Sequence, residues 1–442
     1  IALLGVSGFA LLARSYSLEV FGEWVLFITA SSFIEMFRFG ITNTGLIRYL
    51  SGADKSKRIQ LIGSNALLSL TVTIVIALII FLCNLIFPEA IQNSGFHLFF
   101  RWYPILAFLN LPWNNALVLL QADRKFGKIL VLKSINSICF FMVIAFNALF
   151  LDLSLTQLIW SFLVINTLTS ILSMIAGWDG LIYLFKAGKD TNMELLHFGK
   201  YTTFTLIGSN LLRSADTLII SLSPLGNEAV ALFSIPLKLT ELQLIPLRSF
   251  TATAFPKMSE ASIQHKIKEL RQLFFTFTCA LTYLLVLISV CTFIFADLFV
   301  LLLAGEKFLV PDAVTGINAA DIVRVFSFYG LLLPIDRMTG IALDSINKPH
   351  INALKVLAMV VFNILGDLIA VFLFESLILV AIATIVFTLI GIGLGMYFLN
   401  KEISTSYSGI FSSGIDFYKS MFQKFKGIRQ NKNFNLSPKS IK

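Results

Sequence analysis

The chain has 442 residues, of which 57% are apolar and 13% are charged. A soluble domain is typically about a quarter charged and just under half apolar, so this composition is that of a membrane protein. Soluble enzymes, nucleic-acid-binding proteins and secreted disulfide-linked domains are therefore disfavoured. The four cysteines lie in apolar runs without a CxxC spacing, and the sequence gives no reason to expect a metal or redox centre.

Apolar runs follow one another along the whole chain, and a helix needs about 20 such residues to cross a bilayer. Twelve runs lie at residues 1–13, 23–46, 61–87, 103–121, 129–151, 157–178, 201–222, 229–255, 272–296, 315–343, 351–374 and 376–399. The first run is short and the chain begins with Ile rather than Met, so we expect a first helix that is truncated at its N-terminus. These runs predict an all-α polytopic membrane protein with about 12 transmembrane helices.

Basic residues are concentrated in alternate connections. Of the 34 Lys and Arg, 25 lie in one set of connections together with the tail, and only three, Arg14, Arg101 and Lys307, lie in the other set. The positive-inside rule then predicts that both termini are cytoplasmic. In the basic tail, 401–442, apolar residues from Phe411 to Phe425 recur at spacings of three and four. This spacing is typical of a helix on an anionic leaflet, and a disordered basic tail is the alternative.

The two halves of the chain resemble each other. A shift of 209 residues aligns Glu19–Trp24 with Glu228–Phe233, and a shift of 222 aligns Pro112 with Pro334. We therefore predict two six-helix lobes, arranged as parallel repeats around a central cavity, that rock to open the cavity alternately to each side. The predicted division is an N-terminal lobe at 1–178, a cytoplasmic connection at 179–200, a C-terminal lobe at 201–400 and the tail at 401–442.

Charged residues inside the apolar runs are costly, which makes them candidates for function. Many stand three apart with opposite sign, and this spacing places both on one helix face, where they either form ion pairs or contact a ligand. The cations that could bind an anionic head group in the cavity are Arg38, Arg213, Lys238 and Arg248. The residues that could couple an ion, or only form ion pairs, are Glu35, Asp216, Glu241, Asp321, Arg324 and Asp367.

No HExxH, GxSxG, Walker A or zinc-binding spacing is present, and the histidines fall in predicted loops or helix ends. We therefore expect no cofactor and no catalytic residues. Transport would then be driven by a gradient, of H⁺ or Na⁺, or by the substrate itself.

Three stretches resemble the polysaccharide transporter family. LLARSYSLEVFGEWVLFITASSFIEMFRFGITNTGLIRY is similar to its first two helices, RSADTLIISLSPLGNEAVALFSIPLKL to its seventh and eighth helices, and LLQADRKFGKILVLKS to its fourth-to-fifth connection. The resemblance implies a Wzx-type flippase of the multidrug/oligosaccharidyl-lipid/polysaccharide exporter superfamily, in the bacterial inner membrane. Such a protein moves an undecaprenyl-diphosphate-linked oligosaccharide to the periplasmic leaflet for O-antigen, lipopolysaccharide, capsule or exopolysaccharide synthesis.

The implied partners are that glycan lipid, membrane lipids and other polysaccharide assembly proteins, without nucleic acid. The alternatives within the superfamily are a lipid II flippase and a drug/cation antiporter. A membrane glycan polymerase or acyltransferase is disfavoured, because such an enzyme needs a long external loop with catalytic residues. The longest predicted external connection, near 296–314, has only about 20 residues.

Overall fold

The computed structural model describes residues 1–40, 43–50, 53–311 and 316–403, without the side chains of residues 43, 44, 48, 198–206, 209 and 213. The predicted tail helix near Phe411 to Phe425 lies outside these residues. All regular structure in the described part of the chain is helical. Membrane-spanning chains favour helices because each helix satisfies its own backbone hydrogen bonds, which lipid cannot do.

Fifteen α-helices follow in chain order. They are α1 (Ala2–Ser15), α2 (Leu18–Gly40), α3 (Asn43–Leu50), α4 (Lys55–Ile86), α5 (Pro88–Gln92), α6 (His97–Ala122), α7 (Phe126–Phe146), α8 (Leu155–Ile175), α9 (Lys189–Leu222), α10 (Gly226–Ile263), α11 (Ile267–Ile294), α12 (Ala296–Ala304), α13 (Ala319–Ser345), α14 (Pro349–Phe372) and α15 (Leu377–Ile403). A π turn at Asn147–Leu151 extends α7, and 3-10 turns lie at Leu181–Lys186 and Glu306–Phe308.

Each predicted apolar run overlaps a described helix. Within the described residues, nine spans are long and apolar enough to cross a membrane, and they are formed by α2 with α3, α4, α6, α7 with its π turn, α8, α10, α11, α14 and α15. The other three predicted spans correspond to α1, which has only 14 residues, and to the long helices α9 and α13, which carry charges. The predicted all-helical, multi-pass architecture is confirmed, and a count of twelve spans is consistent with it.

The described chain divides into two compact units. Unit 1 comprises Ile1–Lys238, Asp297–Ile322 and Asn363–Val380, and unit 2 comprises Leu239–Ala296, Val323–Phe362 and the described residues from Ala381 onward. These contact-based boundaries differ from those of the predicted repeat, and the predicted lobes stay a prediction.

Close helix approaches shape unit 1. A Cβ atom on Gly22 of α2 would lie 1.9 Å from the backbone oxygen of Asn227, at the start of α10. Only glycine permits this approach, which brings two of the three stretches that resemble the transporter family into contact. Unit 2 has its own core, in which Met258, Phe274 and Leu343 are completely buried.

Candidate functional site

Glu35 is the centre of a polar network that joins α2 to α6 in unit 1. Its Oε1 accepts a hydrogen bond from the Tyr103 hydroxyl at 3.0 Å, and its Oε2 accepts from Arg38 Nη2 and Asn114 Nδ2, both at 3.0 Å. Arg38 also donates through Nη1 to the carbonyl oxygen of Ala107, and its side chain is fully buried. The structure therefore places Glu35 and Arg38 in an ion pair. Ligand binding by Arg38 stays a prediction, because solvent does not reach its side chain here.

A second network in unit 1 joins α9 to α14. The side-chain nitrogen of Asn363 donates to Asp216 Oδ1 at 3.0 Å and to Asp367 Oδ2 at 3.2 Å. All three side chains are buried, and Asn363 Oδ1 and Asp367 Oδ1 have no hydrogen-bond partner in the described part of the chain. Two predicted ion-coupling residues thus meet across helices, although 151 positions separate them. The side chain of Arg213, the predicted partner of Asp216, lies outside the described residues.

Helix α10 carries three of the predicted candidate residues, Lys238, Glu241 and Arg248. The Lys238 ammonium lies 5.3 Å from the ring centroid of Phe9, which is a cation–π distance, and Glu241 is half-buried. Arg248 is exposed, and no described residue forms an ion pair with its guanidinium. An exposed and unpaired cation within a span has the properties that an anion-binding residue needs.

Arg337 on α13, another cation within a predicted apolar run, has the same properties. Arg337 is exposed and has no ion-pair partner among the described residues, whereas its neighbour Asp336 is buried. Asp336 Oδ1 lies 2.7 Å from Nζ of Lys355, which is also buried. The sequence pattern places Lys355 among the cations of a connection, but α14 already begins at Pro349 and carries Lys355 inside. A search for charges three apart misses both residues, since Arg337 has no acid at that spacing and Lys355 pairs with a different helix.

Asp321 lies at the start of α13. Its Oδ2 accepts a hydrogen bond from the backbone N–H of Asn318 at 3.3 Å, and Asn318 Oδ1 accepts from the backbone N–H of Asp321 at 3.1 Å. This reciprocal arrangement is a capping box, which satisfies backbone donors at a helix start. Arg324, on the next turn, is half-buried. A coupling role for these two residues stays a prediction.

Arg14 and Lys307 belong to the connections that contain few basic residues, and they lie in contact in unit 1. Arg14 Nη2 donates to the backbone oxygens of Leu301 and Leu302, at 2.8 and 2.7 Å, near the end of α12. Lys307 in turn donates through Nζ to the backbone oxygens of Arg14, at 3.3 Å, and Tyr16. Burial lowers the pKa of the Lys307 ammonium below its usual range. We call these contacts the Arg14–Lys307 clasp.

The motifs of α1–α2 and α9–α10, the polar networks within spans and the all-helical fold agree with one family. The sequence profile of the family described as "polysaccharide biosynthesis protein" matches residues 11–311, which is more than half of the chain. The chain belongs to this family. The predicted membership of a polysaccharide transporter family is thereby confirmed, and no curated protein sequence matches the chain.

Solved structures show the same fold. The chain is similar to an inward-facing multidrug resistance MATE family transporter of the MOP superfamily, with a TM-score of 0.75 and 14% identity over 92% of this chain and 96% of that one. It is also similar to the lipid II flippase MurJ, with a TM-score of 0.68 and 15% identity over 96% and 90% of the two chains. A MOP superfamily transporter from Pyrococcus furiosus gives a TM-score of 0.59 at 14% identity, over 91% and 92%. Family and fold agree with the prediction of a membrane transporter rather than an enzyme.

Proposed function

We propose that this protein is a flippase that moves an undecaprenyl-diphosphate-linked oligosaccharide from the cytoplasmic to the periplasmic leaflet of the bacterial inner membrane. The product would be used for O-antigen, capsule or another surface polysaccharide. Membership of the polysaccharide biosynthesis protein family supports a substrate that contains a carbohydrate. The similarity to the fold of a transporter supports translocation across the membrane. The observation that carries the proposal is that Arg248 and Arg337, in two predicted spans, are exposed and have no ion-pair partner among the described residues.

A diphosphate head group needs such cations. Phosphate oxygens form strong, charge-assisted and often bidentate hydrogen bonds with guanidinium groups, but only with groups that a carboxylate does not already neutralise. Four acids within predicted spans have the opposite character. Glu35 is bonded on both oxygens, and Asp216, Asp336 and Asp367 are buried. This charge distribution favours an anionic ligand over the cationic ligand of a drug antiporter.

Translocation in liposomes tests the proposal. Purified protein would be reconstituted with a fluorescent undecaprenyl-diphosphate oligosaccharide, and transfer between leaflets would be measured for wild type, Arg248→Gln and Arg337→Gln. The loss of one charged hydrogen bond, worth about 1.5–3 kcal/mol, predicts at least about a tenfold lower rate for each variant. Arg101→Gln is the matched control: Arg101 is also exposed and has no ion-pair partner among the described residues, but it lies near the N-terminal end of α6 rather than deep within a span.

The alternatives give different results in the same assay. Transfer of lipid II but not of the oligosaccharide lipid would identify a lipid II flippase, and exchange of a cationic drug for H⁺ or Na⁺ would identify an antiporter. Equal rates for wild type and both arginine variants would keep the flippase but remove Arg248 and Arg337 from the binding site.

We further propose that Asp216, Asn363 and Asp367 hold the cation that couples transport to a gradient. Two carboxylates meet through one amide in a buried cluster, and buried negative charge needs a compensating positive charge, which a proton or a small cation can supply. Oxygen-only ligands suit H⁺ or Na⁺, and Asn363 Oδ1 and Asp367 Oδ1, which have no hydrogen-bond partner among the described residues, could serve as ligands for either. Asp367→Asn removes one negative charge and leaves the volume of the side chain nearly unchanged.

We expect the translocation rate of the wild type to depend on a pH or Na⁺ gradient and that of Asp367→Asn to be independent of both. Glu269→Gln serves as the control, because Glu269 is an exposed acid whose one ion pair within the described ranges is with Lys266. A variant that keeps the full gradient dependence would contradict the assignment of this cluster, whatever substrate is moved.

A further inference from the structure

One surface of unit 1 combines exposed apolar and basic side chains at the ends of two predicted spans. Helix α7 begins at Phe126 and ends, with its π turn, at Leu151, and α8 runs back from Leu155 to Ile175. Because this connection is short, the start of α7 and the end of α8 lie at the same end of the helix pair. The connection before α7 and the segment after α8 therefore meet the same membrane boundary.

The segment after α8 is held rigidly against α4. Gly180 has a φ of +71°, and a Cβ there would lie 2.5 Å from the side chain of Ile62. A Cβ on Gly63 of α4 would lie 2.3 Å from the backbone oxygen of Tyr183, so the 3-10 turn Leu181–Lys186 lies directly on α4. The ring of Tyr183 packs against the adjoining core cluster.

This anchoring forces two large apolar side chains outward. In a 3-10 helix, residues three apart lie on the same side, so Ile182 and Phe185 face one direction. Their relative exposures are 75% and 96%, although the turn that carries them is well packed. Phe126, at the start of α7, is also exposed. Rigid exposure of such side chains at the end of a span is typical of contact with a bilayer interface.

Cations surround these apolar side chains. The ammonium of Lys128 lies 4.8 Å from the ring centroid of Trp178, and this contact joins the start of α7 to the segment after α8 in one surface. Arg124, Lys128, Lys186 and Lys189 are exposed and have no ion-pair partner in the described ranges.

The nearby acids offset little of this charge. Asp123 is already paired with Arg58 and Lys125, and Asp179 is buried, where its carboxylate accepts from the backbone N–H of Leu181. Of the acids described near these cations, Asp190 is the exposed one. We call the surface of Arg124, Phe126, Lys128, Ile182, Phe185, Lys186 and Lys189 the interfacial patch.

We propose that the interfacial patch binds the head groups of anionic phospholipids in the adjacent leaflet. Ile182 and Phe185 enter the acyl region, while Lys128 and Lys186 extend along it and hold the lipid phosphates at head-group level. Charge complementarity favours an acidic lipid as the ligand. Cations without an ion-pair partner in the described ranges, next to exposed apolar side chains, suit an acidic lipid better than a neutral one. The proposal is independent of the transported substrate.

Lipid competition on the full chain tests the proposal. The purified protein, stripped of lipid in a neutral detergent, would be given phosphatidylglycerol and phosphatidylcholine in equal amounts, and native mass spectrometry would count each bound lipid. Each basic side chain near an anionic surface contributes about fivefold to the preference for acidic lipid. We therefore expect Lys128→Gln/Lys186→Gln to lower the phosphatidylglycerol preference by at least about fivefold, after allowance for screening.

The control variant carries the same loss of charge elsewhere. Lys266 is exposed in the connection between α10 and α11, and Lys268 is exposed in the first turn of α11. Lys266→Gln/Lys268→Gln should leave most of the preference intact. Ile182→Ser/Phe185→Ser should reduce the binding of both lipids to a similar degree. An equal loss in both lysine variants would attribute the preference to net charge and overturn the proposal. An unchanged preference in Lys128→Gln/Lys186→Gln would overturn it as well and leave the patch to a protein partner.

Discussion

Replacing Arg38 by Met removes the positive charge of the buried ion pair with Glu35 but keeps a long, flexible side chain in its place. The Arg38 guanidinium donates to the carboxylate of Glu35 and to the carbonyl of Ala107, and its side chain is fully buried. In Arg38→Met, the Glu35 carboxylate keeps only its neutral donors, Tyr103 and Asn114. A partly buried negative charge is then left without a counter-charge.

The expected cost follows from these contacts. Two hydrogen bonds from a charged donor are worth about 1.5–3 kcal/mol each, and removal of one partner of a buried ion pair costs about 3–5 kcal/mol. We expect Arg38→Met to lower the free energy of unfolding by about 3–5 kcal/mol. The double variant Glu35→Gln/Arg38→Met should recover at least about 1 kcal/mol of this loss, because no unpaired charge remains.

Unfolding by SDS in mixed micelles, followed by circular dichroism, measures both quantities, and the liposome assay measures translocation by the same variants. If Arg38 only joins α2 to α6, the double variant should translocate at nearly the wild-type rate per folded molecule. The reasoning is refuted if Arg38→Met unfolds within about 1 kcal/mol of wild type, or if the double variant is no more stable than the single one. A stable double variant without translocation would instead support the predicted ligand contact of Arg38.

Three further predictions concern the connections. Gly63→Ala should destabilise the protein by about 1–3 kcal/mol, seen as a lower thermal midpoint, because its Cβ would meet the backbone oxygen of Tyr183 at 2.3 Å; an unchanged midpoint would contradict the close approach. Lys307→Gln should speed hydrogen–deuterium exchange severalfold across residues 301–309, since the clasp to the α1–α2 connection is lost; unaltered exchange would show that the clasp is not stabilising. Burial by itself would raise the pKa of the Asp123 carboxyl. Hydrogen bonds from Lys125 and Arg58 outweigh this effect, so the pKa of Asp123 lies below its usual value. Above the unfolded-state pKa of about 3.9, the ion pair should make wild type more stable than Asp123→Asn by at most about 1 kcal/mol. This advantage should be lost as the pH falls through the lowered pKa of the folded state. Thermal midpoints of the two proteins that differ equally at all pH values would refute the assignment.

The sequence determined the helices and their membrane location. A bilayer imposes a minimum apolar length and requires internal backbone hydrogen bonding, so local composition is sufficient to locate most of the long apolar helices. The predicted run 351–374 corresponds to Pro349–Phe372, and 157–178 corresponds to Leu155–Ile175. The second prediction ends three residues late because Gly177, with a φ of +64°, stops the helix before Trp178.

Charge partners within one helix turn were also visible in the sequence, because a spacing of three places Glu35 and Arg38 on the same face. The rest of the Glu35 network was not visible in the sequence, since Tyr103 and Asn114 lie on another helix, more than sixty positions away along the chain. The same is true of Asn363, which joins Asp216 to Asp367, and of Lys355, which pairs with Asp336 on another helix. The tertiary structure alone decided which charges are buried and paired and which, like Arg248 and Arg337, stay exposed. The physical reason is that spacing along a chain sets the face of a helix, whereas the cost of burying a charge is offset by whichever helix packs against that face.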